Sequence, residues 1–538
     1  MTEIVTIASS AVNAKLHEPS RQAKLEVQRI LSYRVEGAEH SSAFKSGNWD
    51  GRSSFLDFRS GVFPAGFVHF VGANLRRKGY EVRFVTKPAP IPLGPENPRV
   101  GSFPEDPRYD YQMEVVRRLV KHKQIIAQVA TGGGKSLVAR LAFARINRPT
   151  LFLTTRGILM YQMKEAFERD LGVPCSVLGD GQFGHVNAAG QQAVKKMCVG
   201  MVQTLMSRLE ETTVEREFEK LYDFADKKRA SKADAEKMKA AAERKCAEQN
   251  AVRQQTISLL AKFEFVILEE AHEASGNSYF EILRHCKNAH YRLALTGTPF
   301  MKDDEEANMR LMASSGPIAI KVTEKMLIDR EILAKPYFKV IDLKKKPLKL
   351  LRGTGWQSAY RIGIVDNEER NQAIVAEVAR AARYGLSSMV LIQQKKHGEI
   401  LQNLLKAKGL AVEFIQGEND QTERKRALNK LATGKIDALI GTTILDVGVD
   451  VPAVGLIILA GGGKAEVALR QRIGRGLRAK KNGPNVALIV DFTDPFNNHT
   501  KSHAMQRYRI ILETEGFGEN VVRDDFDFEA LGFERKAA

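Results

Sequence analysis

From Arg108 onward the chain repeats one pattern: a short apolar run rich in β-branched residues, a glycine- or hydroxyl-bearing turn, then a longer stretch with apolar positions at helical spacing. Apolar runs at 124–129, 149–155, 197–201, 263–268 and 293–295 predict one series of strands. After Pro336 a second series follows at 389–392, 412–415 and 438–441. The amino-terminal stretch reads as a smaller α/β unit. Residues 3–8 alternate like a strand, Ser20 caps a helical run through Ile30, and 54–58 and 81–85 look like further strands, with Arg76-Arg77-Lys78 ending a second helix. Repeated prolines from Pro88 to Pro107 mark an extended linker, and residues 211–258, rich in Glu, Lys, Ala and Arg, read as a helical hairpin turning near Ser231. The expected layout is an amino-terminal domain at 1–88, a linker at 89–107, two α/β domains at 108–337 and 338–500, and a helical extension at 501–538.

Composition narrows the class. A chain of 538 residues is too long for one core. No apolar run approaches the roughly 18 residues of a membrane span, and no signal-peptide succession opens the chain, so a cytoplasmic location is expected, the host's cytoplasm if a phage encodes it. The four cysteines form no Cys-x-x-Cys pair, which argues against a zinc site and for reduced thiols. The net charge of +18 favours a polyanionic partner, and nucleic acid is the expected one.

The chemistry concentrates at the turns. Val129-Ala130-Thr131-Gly132-Gly133-Gly134-Lys135-Ser136 stands between a strand and a helix, the context of a phosphate-binding loop. Thr131 and the three glycines let backbone N–H groups face phosphate oxygens, Lys135 reaches the β- and γ-phosphates, and the Ser136 hydroxyl suits Mg2+. Val129 occupies the place where the strict pattern has glycine. Further on, an apolar strand delivers Glu269 and Glu270. The first is placed to hold Mg2+, partly through water, and the second to orient and deprotonate an attacking water. Arg156 and Thr204, near strand ends, are candidates for phosphate contacts, although a turn role suits each equally. Arg475 and Arg478, three apart on a helix, can present both guanidiniums to one target. Around Trp49, a glycine-bracketed turn has two readings: a structural turn with Trp49 in its domain's core, or a contact through Trp49, Arg52, Arg76 and Arg77 to nucleic acid.

In order, Tyr111-Gln112, the phosphate loop, Thr204, Glu269-Glu270-Ala271-His272, Thr296-Gly297-Thr298-Pro299, Thr442 to Asp450 and Gln471-x-x-Gly474-Arg475-x-x-Arg478 resemble the motifs of superfamily 2 helicases of the DExH type. The resemblance covers about residues 101–500 and implies two tandem RecA-like parallel-sheet domains, ATP and Mg2+ as cofactors, and nucleic acid across their top. It implies that Gln112 reads adenine and that Gly448, Asp450 and Gln471 approach the nucleotide. His272, Thr296 and Thr298 would couple hydrolysis to the nucleic-acid surface, Thr204 and Thr442 would contact the strand, and Arg475 and Arg478 would meet the γ-phosphate. Glu269 departs from the family's usual aspartate. The stretch Gly47 to Arg52, with Leu56-Asp57, Phe63 to Gly66, Leu327 to Pro336 and Asn367 to Asn371, resembles UvsW-type phage helicases. That implies branched or forked DNA as partner, with branch migration, fork regression and R-loop unwinding of an RNA-DNA hybrid. It also leaves room for a recombination or single-strand-binding protein, with the chain a monomer or weak oligomer. Rival readings are an RNA helicase, a duplex translocase that separates no strands, and a branch-binding protein with a vestigial ATPase.

Overall fold

The computed structural model describes residues 3–101, 106–186, 192–224, 232–272, 277–300, 304–416, 421–442, 454–463, 473–474, 477, 480, 483–522 and 524–536. Contacts divide the chain into two compact units, residues 1–129 with 134–321 and residues 130–133 with 322–538.

The first unit opens with a four-stranded sheet in the order Val62–Pro64, Asn13–His17, Ile4–Ser9, Glu81–Thr86, of which only the last pair is parallel. Ser20 starts the helix Arg21–Ile30 by accepting the Ala23 N–H at 3.0 Å. Val27 from this helix and Val71 and Leu75 from the helix Val68–Arg77 fill the core beside the sheet. The strand expected at 54–58 lies earlier. Arg52–Ser54 pairs antiparallel with Ser32–Arg34, and there the ladder stops because the Ser54 hydroxyl donates to the Gln28 carbonyl and accepts the Leu56 N–H. Phe55 then packs against Tyr33, Phe67 and Phe280 at centroid distances of 5.0, 5.4 and 6.3 Å. Phe280 belongs to the helix Asn277–His285, so this cluster ties the amino-terminal stretch to the rest of the first unit. Gly66 makes a second tie, since a Cβ there would run into the carbonyls of Met312 and Ala313.

The proline-rich stretch lies along the same unit, Leu93 and Gly94 donating to the carbonyls of Ile146 and Arg145 at 3.1 Å. The main sheet has eight strands in the order Gln182–Phe183, Cys175–Gly179, Met197–Met201, Thr150–Thr154, Phe265–Glu269, Tyr291–Thr296, Gln124–Val129, Ile318–Val322. All pairs from Cys175–Gly179 through Gln124–Val129 are parallel. The strand carrying the phosphate loop is covered on both faces, which is why its apolar residues Ile125, Ile126, Ala127 and Val129 do not alternate with exposed ones.

Residues 211–258 form the expected pair of packed helices, Val214–Phe224 and Lys232–Leu260; the turn near Ser231 falls outside the described residues. The long helix is anchored at its base. Gln249 donates to the carbonyls of Ser207 and Glu210 at 3.0 and 3.1 Å, and Arg253 donates to that of Leu209 at 3.1 Å. Those carbonyls end the helix Val202–Leu209 and would otherwise have no partner within it.

The second unit holds a seven-stranded parallel sheet in the order Val412–Ile415, Ala438–Gly441, Ser388–Leu391, Leu456–Ile458, Val486–Phe492, Lys335–Ile341, Val521–Val522. Among the described residues the carboxy-terminal extension continues the α-helix Asn498–Glu513 and then makes a 3-10 turn at Gly518–Asn520. Gly516, at φ 86°, turns the chain back, Val521–Val522 adds the edge strand, and Phe526, Phe528 and Phe533 bury in this unit's core. These are two tandem RecA-like sheets, each with helices on its faces.

Candidate nucleotide site

Gly132 and Gly134 hold φ of 88° and 77°, backbone that a Cβ opposes, and Gly134 leads directly into the helix Lys135–Ile146. The first N–H groups of that helix have no carbonyl partner within it, so its start is a ready site for phosphate oxygens, with Lys135 and Ser136 in its first turn. Gln112, 4% exposed on the helix Asp110–His122, packs against the loop: a Cβ on Gly134 would lie 2.5 Å from its Nε2.

Parallel register sets Glu269 opposite Leu295 and Thr296 opposite Gln128, so the carboxylate pair and the Thr-Gly-Thr turn emerge at the same edge of the sheet as the loop. Lys135 Nζ lies 4.0 Å from Glu270 Oε1, and His272 Nδ1 lies 3.4 Å from Glu270 Oε2. His272 Nδ1 is also 3.1 Å from Thr296 Oγ1, which accepts the Thr298 N–H at 3.2 Å. Side-chain contacts therefore run from Lys135 through Glu270 and His272 to the Thr296 turn. Glu270 itself sits at φ 47°, a left-handed conformation that costs of order 1–3 kcal/mol for a residue with a Cβ and persists only where the surroundings impose it.

Glu269 is 6% exposed and accepts the Glu270 N–H at 2.6 Å. Burial first, and then the neighbouring Glu270 charge, hold its carboxyl well above the usual carboxylate range, while the Lys135 charge works the other way. A buried carboxyl that resists ionisation beside a second carboxylate suits a site completed by a divalent cation, whose charge would favour the ionised form. Among the described residues no cluster of three or more His, Cys, Asp or Glu could hold a metal.

The remaining sequence candidates fall in several places. Arg156 stands at the N-cap position of the helix Gly157–Leu171, after the strand Thr150–Thr154, and its charge, like that of Lys135, works against the rise of the Glu269 pKa. Thr204 is not at a strand end: the strand stops at Met201 and Thr204 lies in the first turn of the helix Val202–Leu209. Thr442 follows the strand Ala438–Gly441. Trp49 is half-buried in its turn, outside the core, and donates from Nε1 to the Arg52 carbonyl at 2.7 Å. Arg52 reaches Glu305 at 3.1 Å and the Ser32 hydroxyl at 3.3 Å, while Arg76 lies over the Phe84 ring and Arg77 reaches Asn74. Gly448, Asp450, Gln471, Arg475 and Arg478 lie outside the described residues.

Residues 106–301 match the family described as type III restriction enzyme, res subunit, and residues 369–480 match the helicase conserved C-terminal domain. The chain is a superfamily 2 helicase. It is thus a nucleic-acid-dependent ATPase whose two cores correspond to those matches. The ATP-dependent DNA helicase uvsW of Enterobacteria phage T4 is 22% identical over 500 residues, covering 89% of this chain and 88% of that one. The DNA 3'-5' translocase XPB2 of Sulfurisphaera tokodaii is 22% identical over 403 residues, covering 69% and 78%. A virus protein of Sulfolobus islandicus filamentous virus, named as a helicase, is 24% identical over 236 residues, and the chain spans 41% of its length. The crystal structure of T4 UvsW superposes at a TM-score of 0.43 and 18% identity, covering 97% of this chain and 99% of that chain.

The helicase's second unit carries a buried network that the motifs do not announce. Arg507 donates to both Asp491 oxygens at 2.9 and 3.2 Å, to Asp494 at 3.3 Å and to the Gly463 carbonyl at 2.9 Å. Arg370 donates to Asp494 at 3.0 Å and to the Leu459 and Ala460 carbonyls, lying over the Phe492 ring; Tyr360 donates to the Gly461 carbonyl at 2.7 Å. Together they fix the loop 459–463, which immediately precedes the segment bearing the Gln-x-x-Gly-Arg-x-x-Arg motif. The only sequence signal was an aspartate in an otherwise apolar strand, Val486–Phe492.

Proposed function

We propose that this helicase uses ATP and Mg2+ to drive remodelling of branched DNA, including branch migration, fork regression and R-loop unwinding. The run of contacts from Lys135 through Glu270 and His272 to Thr296 carries the motor part of the reading. Gln112 would face adenine, Thr131 to Gly134 with Lys135 and Ser136 would hold the phosphates, and Ser136 with Glu269 would hold Mg2+. The bound nucleotide supplies the bond that is cleaved. A carboxylate oxygen of Glu270 takes the proton of the attacking water, and His272, in touch with that carboxylate, passes its state to the Thr296-Gly297-Thr298 turn. Arg475 and Arg478 supply positive charge to the γ-phosphate, a contribution that in such enzymes is worth about 10³ to 10⁵ in turnover.

Branched DNA as the substrate is supported by the similarity to the T4 helicase, which extends over 89% of the chain and so beyond the two helicase cores. A duplex translocase that separates no strands is the second reading, favoured by the XPB2 similarity. ATP hydrolysis measured with no nucleic acid, single-stranded DNA, linear duplex, a four-way junction and an RNA-DNA hybrid separates them, with Lys135→Ala as control. Junction stimulation well above linear duplex supports the proposal. Equal stimulation by linear duplex, with no strand displacement on a fork, supports the translocase, and release unaffected by Lys135→Ala sinks the assigned nucleotide site.

A further inference from the structure

Between the strand Lys335–Ile341 and the short helix Trp356–Tyr360 runs a strap of irregular chain holding Lys344, Lys345, Lys346, Lys349 and Arg352. Lys344 pairs with Asp342; the other four cations are exposed, and no ion pair to them is present among the described residues. Leu348 and Leu351, between the cations, are 101% and 65% exposed. The strap is nonetheless fixed. Glu369 accepts the N–H groups of Lys344 and Lys345 at 2.8 to 3.1 Å, and Asn497 donates to the carbonyls of Leu351, Arg352 and Thr354 at 2.8, 3.0 and 3.0 Å. Glu369 is therefore engaged with backbone, and the ammonium groups of Lys345, Lys346 and Lys349 are left to solvent.

Asn497 also caps the helix Asn498–Glu513, whose outer face borders an open groove of about 980 Å³. Met505 and Tyr508 line the groove and are exposed, Lys501 and Arg509 flank them, and no carboxylate lines it among the described residues. At the junction of strap and helix, Trp356 packs on His503 with ring centroids 4.4 Å apart and approaches His499 at 6.4 Å.

The geometry points to a strand-binding track on the second unit, outside the helicase motifs, in which the basic strap takes phosphates and the groove beside Trp356 takes unstacked bases. It rests on the chain's nucleic-acid-dependent activity. Exposed cations on an anchored backbone, of which Lys345, Lys346, Lys349 and Arg352 have no carboxylate partner among the described residues, suit a polyanion, and an aromatic ring between two cations suits a base face, which every base presents. The occupant is a single nucleic-acid strand. A paired duplex buries its base faces.

The test is anisotropy of a labelled oligothymidylate against salt, with the full chain. Replacing Lys345, Lys346 and Lys349 together by Ala lowers the log–log salt slope by about 2, at roughly 0.7 per neutralised phosphate on a single strand. Their replacement by Arg keeps the slope. Tyr508→Ala weakens binding about tenfold or more while leaving the slope unchanged, as loss of one stacked base requires. ATP hydrolysis without nucleic acid stays at the wild-type rate in all three. Wild-type binding with unchanged slope and affinity in the variants overturns the track, as does a strap that binds anionic vesicles in preference to the oligonucleotide. Absence of any nucleic-acid binding or stimulation in the wild type would instead overturn the activity on which the track rests.

Discussion

His397 gives the second unit an acid sensitivity whose size comes from its surroundings. Its Nε2 lies 2.9 Å from Asn371 Oδ1, while the Asn371 amide nitrogen donates to the Val365 carbonyl, so the imidazole is the Nε2–H tautomer and donates. Nδ1 is buried with no partner among the described residues. A proton there would have no acceptor. Burial, and then the nearby Arg370 charge, push the pKa from 6.5 down to about 3. Between those values the unfolded chain binds a proton that the folded chain refuses. The stabilisation is therefore complete above pH 6.5 and is lost as the pH falls toward 3. At 1.36 kcal/mol per unit this is about 5 kcal/mol in all, and about 2 kcal/mol between pH 7 and pH 5, where most carboxylates are still ionised. The chain has two tryptophans, so Trp49→Phe leaves Trp356 as the reporter of the second unit. Urea unfolding followed by Trp356 emission should show that unit losing about 2 kcal/mol from pH 7 to pH 5, and His397→Gln, which keeps a donor for Asn371, should remove most of that loss. Wild type and variant falling in parallel over this range would refute the reasoning.

Three further outcomes are expected at the site and in the second unit. Glu270→Gln keeps the shape of the residue but removes the proton acceptor, so turnover should drop about 10² to 10⁴-fold while nucleotide binding, read by fluorescent-nucleotide titration, persists. Thr296→Val removes the oxygen that accepts the Thr298 N–H and faces His272. At about 1–1.5 kcal/mol for a lost hydrogen bond, stimulation of ATP hydrolysis by nucleic acid should fall about tenfold with the unstimulated rate nearly intact. Arg507→Gln leaves the buried Asp491 without its cation and Asp494 with Arg370 alone, and calorimetry should show the second unit destabilised by about 3–5 kcal/mol.

Much of this protein was legible from local pattern. The runs at 124–129, 197–201, 412–415 and 438–441 are strands where they were expected, most plainly at 197–201 and 438–441, because a strand covered on both faces is apolar almost throughout. Ser20 marked a helix start for an equally local reason, one hydroxyl meeting one backbone N–H. The order of glycine loop, carboxylate pair and Thr-Gly-Thr turn was likewise readable, since each belongs to the end of a single strand.

The exceptions depend on residues distant in sequence. The strand expected at 54–58 ends early because Ser54 bonds to Gln28, and the extension, helical as expected through Glu513, then completes a sheet edge beside Lys335–Ile341, a strand far earlier in the chain. Nothing near Glu270 in the chain announces its left-handed backbone or its contacts with Lys135 and His272; parallel register across three strands creates them. Arg507 reads as one more surface cation until Asp491, Asp494 and Gly463 close around it. Sequence alone determined which segments fold into which elements and which chemical groups stand at their ends, because burial periodicity and capping are short-range. Only the tertiary structure decided which charges are buried together and which, as along the lysine strap, are left exposed, because desolvation is set by every element that packs around a group.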